Sequence, residues 1–416
     1  MNKKSLLLPS IIFSFCFLSK AEESKPSSWP QWRGPERNGI IPSGSPWPDK
    51  IDENTLNEKW RVKTGKGYSG PVVSADYVFS TESVDEEERT HAYNRKDGKL
   101  AWTTKWKGKM KVPFFASKNG SWIRSTPTFD GKDLFVCGMR DVLHSLDAMS
   151  GKVNWAVDFA ERYDAPIPSF GTVCSPLVDG ENLYVQAASG FVKLEKKTGK
   201  SIWRSLTEKG GMFGSAFSSP VINEINGKRQ VVVQTRTNLT GVNPKSGKKI
   251  WTKPIKAFRG MNILTPTVLN NSIFTSSYGG KSLLFNVQKD EKSQELVQSW
   301  ENRQEGYMSG PIVLDGYCYI HLRKQRITCL DMKNGETRWI SSESFGKYMS
   351  MVSNGNEILA LDEDGTLYLI DPNPEKFVIK ERRKISESPT WAHLAVSGNQ
   401  LFVRELEALV CYQWTD

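Results

Sequence analysis

The chain has 416 residues, 38% hydrophobic and 25% charged, which is enough apolar content to fold and too dispersed for a membrane-spanning protein. Its formal net charge of +10 is scattered along the sequence instead of gathered in one basic block, which argues against nucleic acid as a partner. Six cysteines without a CxxC, CxxCH or adjacent pair exclude c-type haem attachment and a cysteine zinc site, and leave room for an isolated disulfide at most.

Residues 1–21 predict a secretory signal peptide. Lys3 and Lys4 precede an apolar run from Leu6 to Leu18, and small residues at Ser19 and Ala21 mark cleavage after Ala21. Cleavage removes Lys3, Lys4 and Lys20 and takes the formal charge from +10 to +7. No later stretch reaches the ~20 apolar residues of a transmembrane helix. The expected location is outside the cytoplasm, periplasmic or extracellular. Phe15 occupies the position before Cys16 where lipid attachment needs a small residue, so no lipid anchor is expected. Residues 22–55 read as an N-terminal extension.

From residue 56 to 416 the sequence predicts an all-β fold, an eight-bladed β-propeller of four-stranded blades. NEKW, closing on Trp60, has the form of a fourth strand but precedes any first strand. Prolines then recur at Pro71, Pro127, Pro176, Pro220, Pro266 and Pro311. Trp102, Trp155, Trp203, Trp251, Trp300 and Trp339 each close the unit that one of these prolines opened. In the unit from Ser125 to Trp155, proline opens the first strand, where its missing N–H is tolerable, and the turns DGK, MRD and SGK separate DLFVC, VLHSLD and VNW. Glycine recurs before the fourth strand at Gly98, Gly151, Gly199, Gly247 and Gly335, where a tight turn needs positive φ. A four-stranded unit cannot cover both of its faces, so such units stack radially, and each recurrent tryptophan is expected to wedge between blades. A seventh unit, Met351 to Lys380, keeps its strands without the proline or the tryptophan. An eighth begins at Trp391 and lacks a fourth strand, which NEKW is expected to supply, closing the ring and removing its open edges.

This repeat resembles that of the PQQ-like β-propeller family, in the quinoprotein alcohol dehydrogenase-like superfamily, which also contains the quinone-free outer-membrane assembly factor BamB. The opening WPQWRGPERNG, Trp29 to Gly39, followed by GKGYSGPVV, is similar to exported repeat proteins of that family. In the quinone enzymes the resemblance implies an adjacent Cys-Cys disulfide, a Ca²⁺ held by Glu, Asn and Asp, and a further Asp as base. This sequence has no Cys-Cys pair and no alignable calcium trio, so no catalytic residue and no metal ligand carries over. DEDG, Asp362 to Gly365, reads as a hairpin turn, because Asn373 stands where a calcium loop requires a bidentate Glu. His91, His144, His321 and His393 lie in separate repeats without metal-ligand spacing. The expected function is a non-catalytic extracytoplasmic binding or scaffold protein resembling BamB, with no cofactor; the alternative is a PQQ- and Ca²⁺-dependent alcohol or sugar oxidoreductase. An envelope protein or a glycan is the expected partner, and the oligomeric state is not legible.

Two places are candidates for recognition. The approaches to the innermost strands converge on the central channel and carry Tyr68, Arg124, Phe217, Asn262, Tyr307, Tyr348 and Trp391, a set suited to a planar or sugar-like ligand, or else a plug of the channel mouth. The connection from Thr103 to Ile123 interleaves Lys105, Lys107, Lys109 and Lys111 with Trp106, Phe114 and Phe115. It reads either as a contact loop for an acidic protein or polysaccharide or as a solvated insert. The acidic run Asp85 to Arg89 reads as a hairpin tip.

Overall fold

A computed structural model describes residues 28–289 and 294–415; the predicted signal peptide lies outside the described residues. These residues form eight four-stranded antiparallel sheets. Seven are consecutive meanders at 72–107, 128–158, 177–205, 221–254, 267–302, 312–340 and 349–384, which we number blades 1 to 7. Blade 8 joins the strands of 395–414 to Leu56–Lys63, which pairs antiparallel with Ala408–Trp414 from Leu56↔Trp414 to Lys63↔Ala408. The closure expected from NEKW is therefore present, and Trp60 lies on the outermost strand of the last blade.

One contact explains two of the repeated sequence signals. In blades 8, 1, 2, 3 and 5 the tryptophan of the outer strand lies over the turn glycine of the following blade and donates its indole N–H to the carbonyl three residues before that glycine; Trp339 of blade 6 donates likewise to Asn373 of blade 7 at 2.9 Å, in a turn without glycine. Trp60 reaches Arg95 at 2.9 Å, Trp102 reaches Ala148 at 3.0 Å, Trp155 reaches Lys196 at 3.1 Å and Trp300 reaches Met332 at 2.9 Å. The wedge thus fills the gap between blades and satisfies its own polar atom. Trp251 departs from the pattern: it donates to Gln230 Oε1 of its own blade at 2.8 Å and packs in the core shared with blade 5. Blade 7 has no outer tryptophan. Its Arg383 instead donates to the carbonyls of Asp52 at 2.9 Å and Leu56 at 2.6 Å, which ties the N-terminal segment across the seam to blade 8. The DEDG run forms the expected turn, with Asp362 Oδ1 accepting from the backbone N–H of Asp364 and Thr366. The described cysteines are all buried and free.

The N-terminal extension runs into the central channel. Trp29 exchanges backbone hydrogen bonds with Val73 of blade 1 at 2.9 Å, Phe129 of blade 2 donates to Pro30, and Ile41 donates to Ser353 of blade 7 at 2.9 Å. Between these anchors Arg33 and Arg37 are almost wholly buried. Arg37 donates to the carbonyls of Pro176, Ser175 and Pro220, and to Gln31 Oε1 at 2.8 Å; Arg33 donates to the carbonyls of Pro311 and Asn38. The prolines that open the inner strands turn their carbonyls toward the axis, and a planar guanidinium with five donors satisfies several at once. Burial pulls both arginines down to about 10, which leaves them charged at neutral pH.

Candidate functional site

In an antiparallel meander, the connections between strands alternate between the two ends of the blade. The approach to each innermost strand and the turn between strands two and three therefore emerge on one face, while the backbone anchors of the N-terminal segment, at Val73, Phe129 and Ser353, lie at the opposite ends of the inner strands, and its Arg33 and Arg37 reach back to the prolines that open them. On the first face the channel opens as a cavity of about 410 Å³. Its floor carries Trp32, whose ring meets His393 edge-on at 6.1 Å and lies 5.6 Å from the Arg33 guanidinium. Burial and the neighbouring Arg33 lower His393 to about 3, so this imidazole stays neutral.

The walls are aromatic and cationic. Tyr68 packs between Trp391 at 5.2 Å and Trp122 at 5.4 Å. Phe170 lies between Phe115 at 6.1 Å and Phe217 at 5.8 Å, and Tyr278 between Tyr307 at 5.0 Å and Phe258 at 5.4 Å. Arg124, Arg236 and Arg259 also line the cavity, and no Asp or Glu does. Arg236 stacks over Phe217 at 5.3 Å and donates to the Arg259 carbonyl. Arg124 donates to the carbonyls of Gly120 at 2.8 Å and Trp122 at 3.2 Å. Burial holds it down to about 10, and the titratable group that faces it is the Tyr68 hydroxyl, itself raised by burial and neutral at neutral pH.

Tyr68, Arg124, Phe217, Tyr307, Tyr348 and Trp391 all line this cavity, whereas Asn262 does not. Its side chain is buried and donates to the carbonyls of Arg236 at 2.9 Å and Ile255 at 3.2 Å. The channel axis is filled by the N-terminal segment, and these side chains surround an open depression above it. Sequence reasoning missed Trp32, because the N-terminal extension carries no repeat. It also missed Arg236 and Tyr278, which stand in turns between strands two and three that leave on the same face but carry no repeated marker.

The second candidate divides. Lys105, Trp106 and Lys107 belong to the outer strand Leu100–Lys107 of blade 1, not to a loop. Lys105 pairs with Glu87 at 2.9 Å and Lys109 with Glu86, so the acidic hairpin tip neutralises part of the basic run. Trp106 stacks on His144 at 4.1 Å and donates to Glu88 at 2.8 Å. Phe114 and Phe115 begin a 3₁₀ turn, Phe114–Asn119, that places Phe115 in the cavity wall. Among the described residues, no three His, Cys, Asp or Glu side chains are grouped to hold a metal ion, and no helix is long and apolar enough to cross a membrane.

A family model described as outer membrane protein assembly factor BamB matches residues 49–119 and 106–341. Proteins named outer membrane protein assembly factor BamB from Escherichia coli and Yersinia pestis are 23% and 22% identical to this chain. The first alignment covers 92% of each chain; the second covers 81% of this chain and 84% of the relative. The crystal structure of BamB from Moraxella catarrhalis superposes with a TM-score of 0.63 at 15% identity, over 86% of this chain and 98% of that one. The C-terminal WD40 domain of Sif2 superposes with a TM-score of 0.56 at 8% identity, over 87% of this chain and 99% of its own length, so likeness at this level is one of fold.

Proposed function

The chain belongs to the outer membrane protein assembly factor BamB family, and we propose on that ground that it is a non-catalytic, extracytoplasmic scaffold that holds polypeptides during the assembly of outer-membrane proteins. The observation that carries this reading is the use of the channel axis. The position where all eight blades converge is occupied by the chain's own residues, with Arg33 and Arg37 locked onto backbone carbonyls and Trp32 packed against His393 above them. What remains is a depression lined by aromatic rings and guanidinium groups, a surface for recognition.

A calcium-held quinone does not fit that depression. Its lining offers three arginines and no carboxylate to ligate Ca²⁺ or act as base. The described cysteines sit buried in strands or behind the wall, none of them adjacent in sequence. The chain therefore needs no cofactor in this reading. It works on the periplasmic side of the outer membrane, after export directed by residues 1–21, with an envelope polypeptide as its partner.

The test is depletion of the protein in its native host, followed by quantification of folded β-barrel proteins in the outer membrane from their heat-modifiable migration. The expected result is a fall in folded barrels that a plasmid copy restores. Unchanged barrel levels, together with alcohol- or aldose-dependent dye reduction by the purified protein loaded with PQQ and Ca²⁺, would replace the scaffold with the oxidoreductase.

A further inference from the structure

The channel mouth has a chemical character more specific than that of a general docking face. The connections after blades 1, 3 and 4 each contain a short 3₁₀ turn. These turns raise apolar side chains into solvent around the cavity: Phe114 is 88% exposed, Phe115 53%, Met212 36% and Phe258 48%. A folded chain keeps large rings at such exposure only singly, and a cluster around one opening marks an interaction surface. Below this apolar rim, Arg124 is a desolvated cation whose donors reach only the carbonyls of Gly120 and Trp122.

The cationic character continues outward past Tyr278. Arg323 stacks over that ring at 4.3 Å and pairs with Glu305 at 3.3 Å, and with Arg303 and Lys324 it lines an adjoining cavity of about 540 Å³, where Glu305 is the one acidic side chain and Arg303 and Lys324 are the cations it leaves uncancelled. Burial together with the nearby Arg326 and Arg303 lowers Lys324, which is repelled by both guanidinium groups. Aromatic rim, guanidinium wall and basic shelf thus form one continuous track across the faces of several blades. The first cavity alone would hold a small planar anion, but such a ligand would leave Phe114 and the outer shelf unused.

We propose that this track binds an extended polypeptide segment in which carboxylate side chains alternate with aromatic ones. The rings insert among Tyr68, Phe170, Phe217 and Tyr278, and the carboxylates face Arg124, Arg259 and the Arg303–Lys324 shelf. Guanidinium–carboxylate hydrogen bonds and cation–π stacking act together in such a partly desolvated site, and alternation along an extended chain sends the two kinds of side chain to opposite sides of the segment, toward opposite walls of the mouth. This assignment rests on the scaffold reading, since it names the chemistry of the polypeptide that the scaffold holds.

The test uses the purified mature chain and an acetylated, amidated hexapeptide of alternating glutamate and phenylalanine, followed by quenching of tryptophan fluorescence and by calorimetry. The expected result is saturable binding that weakens with added salt and is weaker by about tenfold or more when lysine replaces glutamate in the peptide. Arg124→Gln should weaken binding about tenfold. Because Arg124 is half-buried and bonded to the carbonyls of its own loop, the exposed variants Arg259→Gln and Phe114→Ala provide the check that does not depend on folding, each expected to weaken binding by about threefold or more with an unchanged melting temperature. Equal binding of the glutamate and lysine peptides, or unchanged binding in both exposed variants, would overturn the proposal. So would binding of naphthalene disulfonate in place of the peptide, which would make the mouth a small-anion pocket. Loss of peptide binding with barrel assembly still dependent on the protein removes this assignment and leaves the scaffold. Peptide binding with barrel assembly independent of the protein does the reverse.

Discussion

The contact between tryptophan and turn glycine can be isolated within blade 6. Gly335 has φ +78°, and a Cβ on it would come within 2.5 Å of the Trp300 ring of blade 5. Gly316, in another turn of the same blade, has φ +81° and nothing within 4 Å of that position. Alanine at Gly316 therefore meets only the left-handed backbone penalty, about 1–2 kcal/mol. Alanine at Gly335 adds displacement of a buried indole, about 1–3 kcal/mol more for overpacking, which makes about 2–5 kcal/mol in all. For a chain of this size 1 kcal/mol corresponds to about 1 °C of melting temperature. Calorimetry should then show losses of about 1–2 °C for Gly316→Ala and about 2–5 °C for Gly335→Ala. The decisive comparison places Gly335→Ala in a Trp300→Leu background. With the ring gone, the alanine should cost only what it costs at position 316, and the difference is the coupling between the two sites. If Gly335→Ala costs the same with and without Trp300, the blade-to-blade wedge does not operate as described.

The axial plug gives a second expectation. Arg37→Leu removes the guanidinium donor from the carbonyls of Pro176 and Pro220, of which Pro176 keeps Thr128 Oγ1 at 2.6 Å, a loss of about 2 kcal/mol after allowing for the desolvation that the missing cation no longer incurs. Residues 28–55 should become protease-sensitive before the blades do, and a cleavage pattern identical to wild type would count against the plug. A third expectation concerns pH. Glu88 is buried between blades 1 and 2, accepts from Met139 N–H and Trp106 Nε1 at 2.8 Å each, and is pushed up by burial from 4.5 to about 7. The folded state thus binds more protons than the unfolded state between these values. The stability that Glu88 contributes is complete below about 4.5 and is lost as pH rises through about 7, by an amount on the order of 3 kcal/mol. Wild type minus Glu88→Gln should fall by that order between pH 4.5 and 8 in thermal melts, whereas a flat difference would show that the two donors hold the carboxylate ionised throughout.

The amino-acid sequence by itself determined the ring. Proline, turn glycine and outer tryptophan recur because each blade solves the same local problem of opening a strand, reversing it and covering the next blade, so their spacing counts the blades. Trp60, placed before the first proline, located the closing strand, since a fourth strand without a third must pair elsewhere. Six of the seven mouth residues were legible for a related reason, because strand alternation forces every approach to an inner strand onto one face. Asn262 failed because its amide found two backbone carbonyls, and carbonyls carry no sequence signature. The same blindness hid the plug. Arg33 reaches Pro311 across 278 positions and Arg37 reaches Pro220 across 183, through acceptors that every residue possesses. Lys105 and Lys109 read as a free basic loop until strand pairing set Glu87 and Glu86 beside them. Only the closed ring decided which charges were cancelled and which, like Arg124, were left facing the mouth, because that depends on where eight separate connections converge in space.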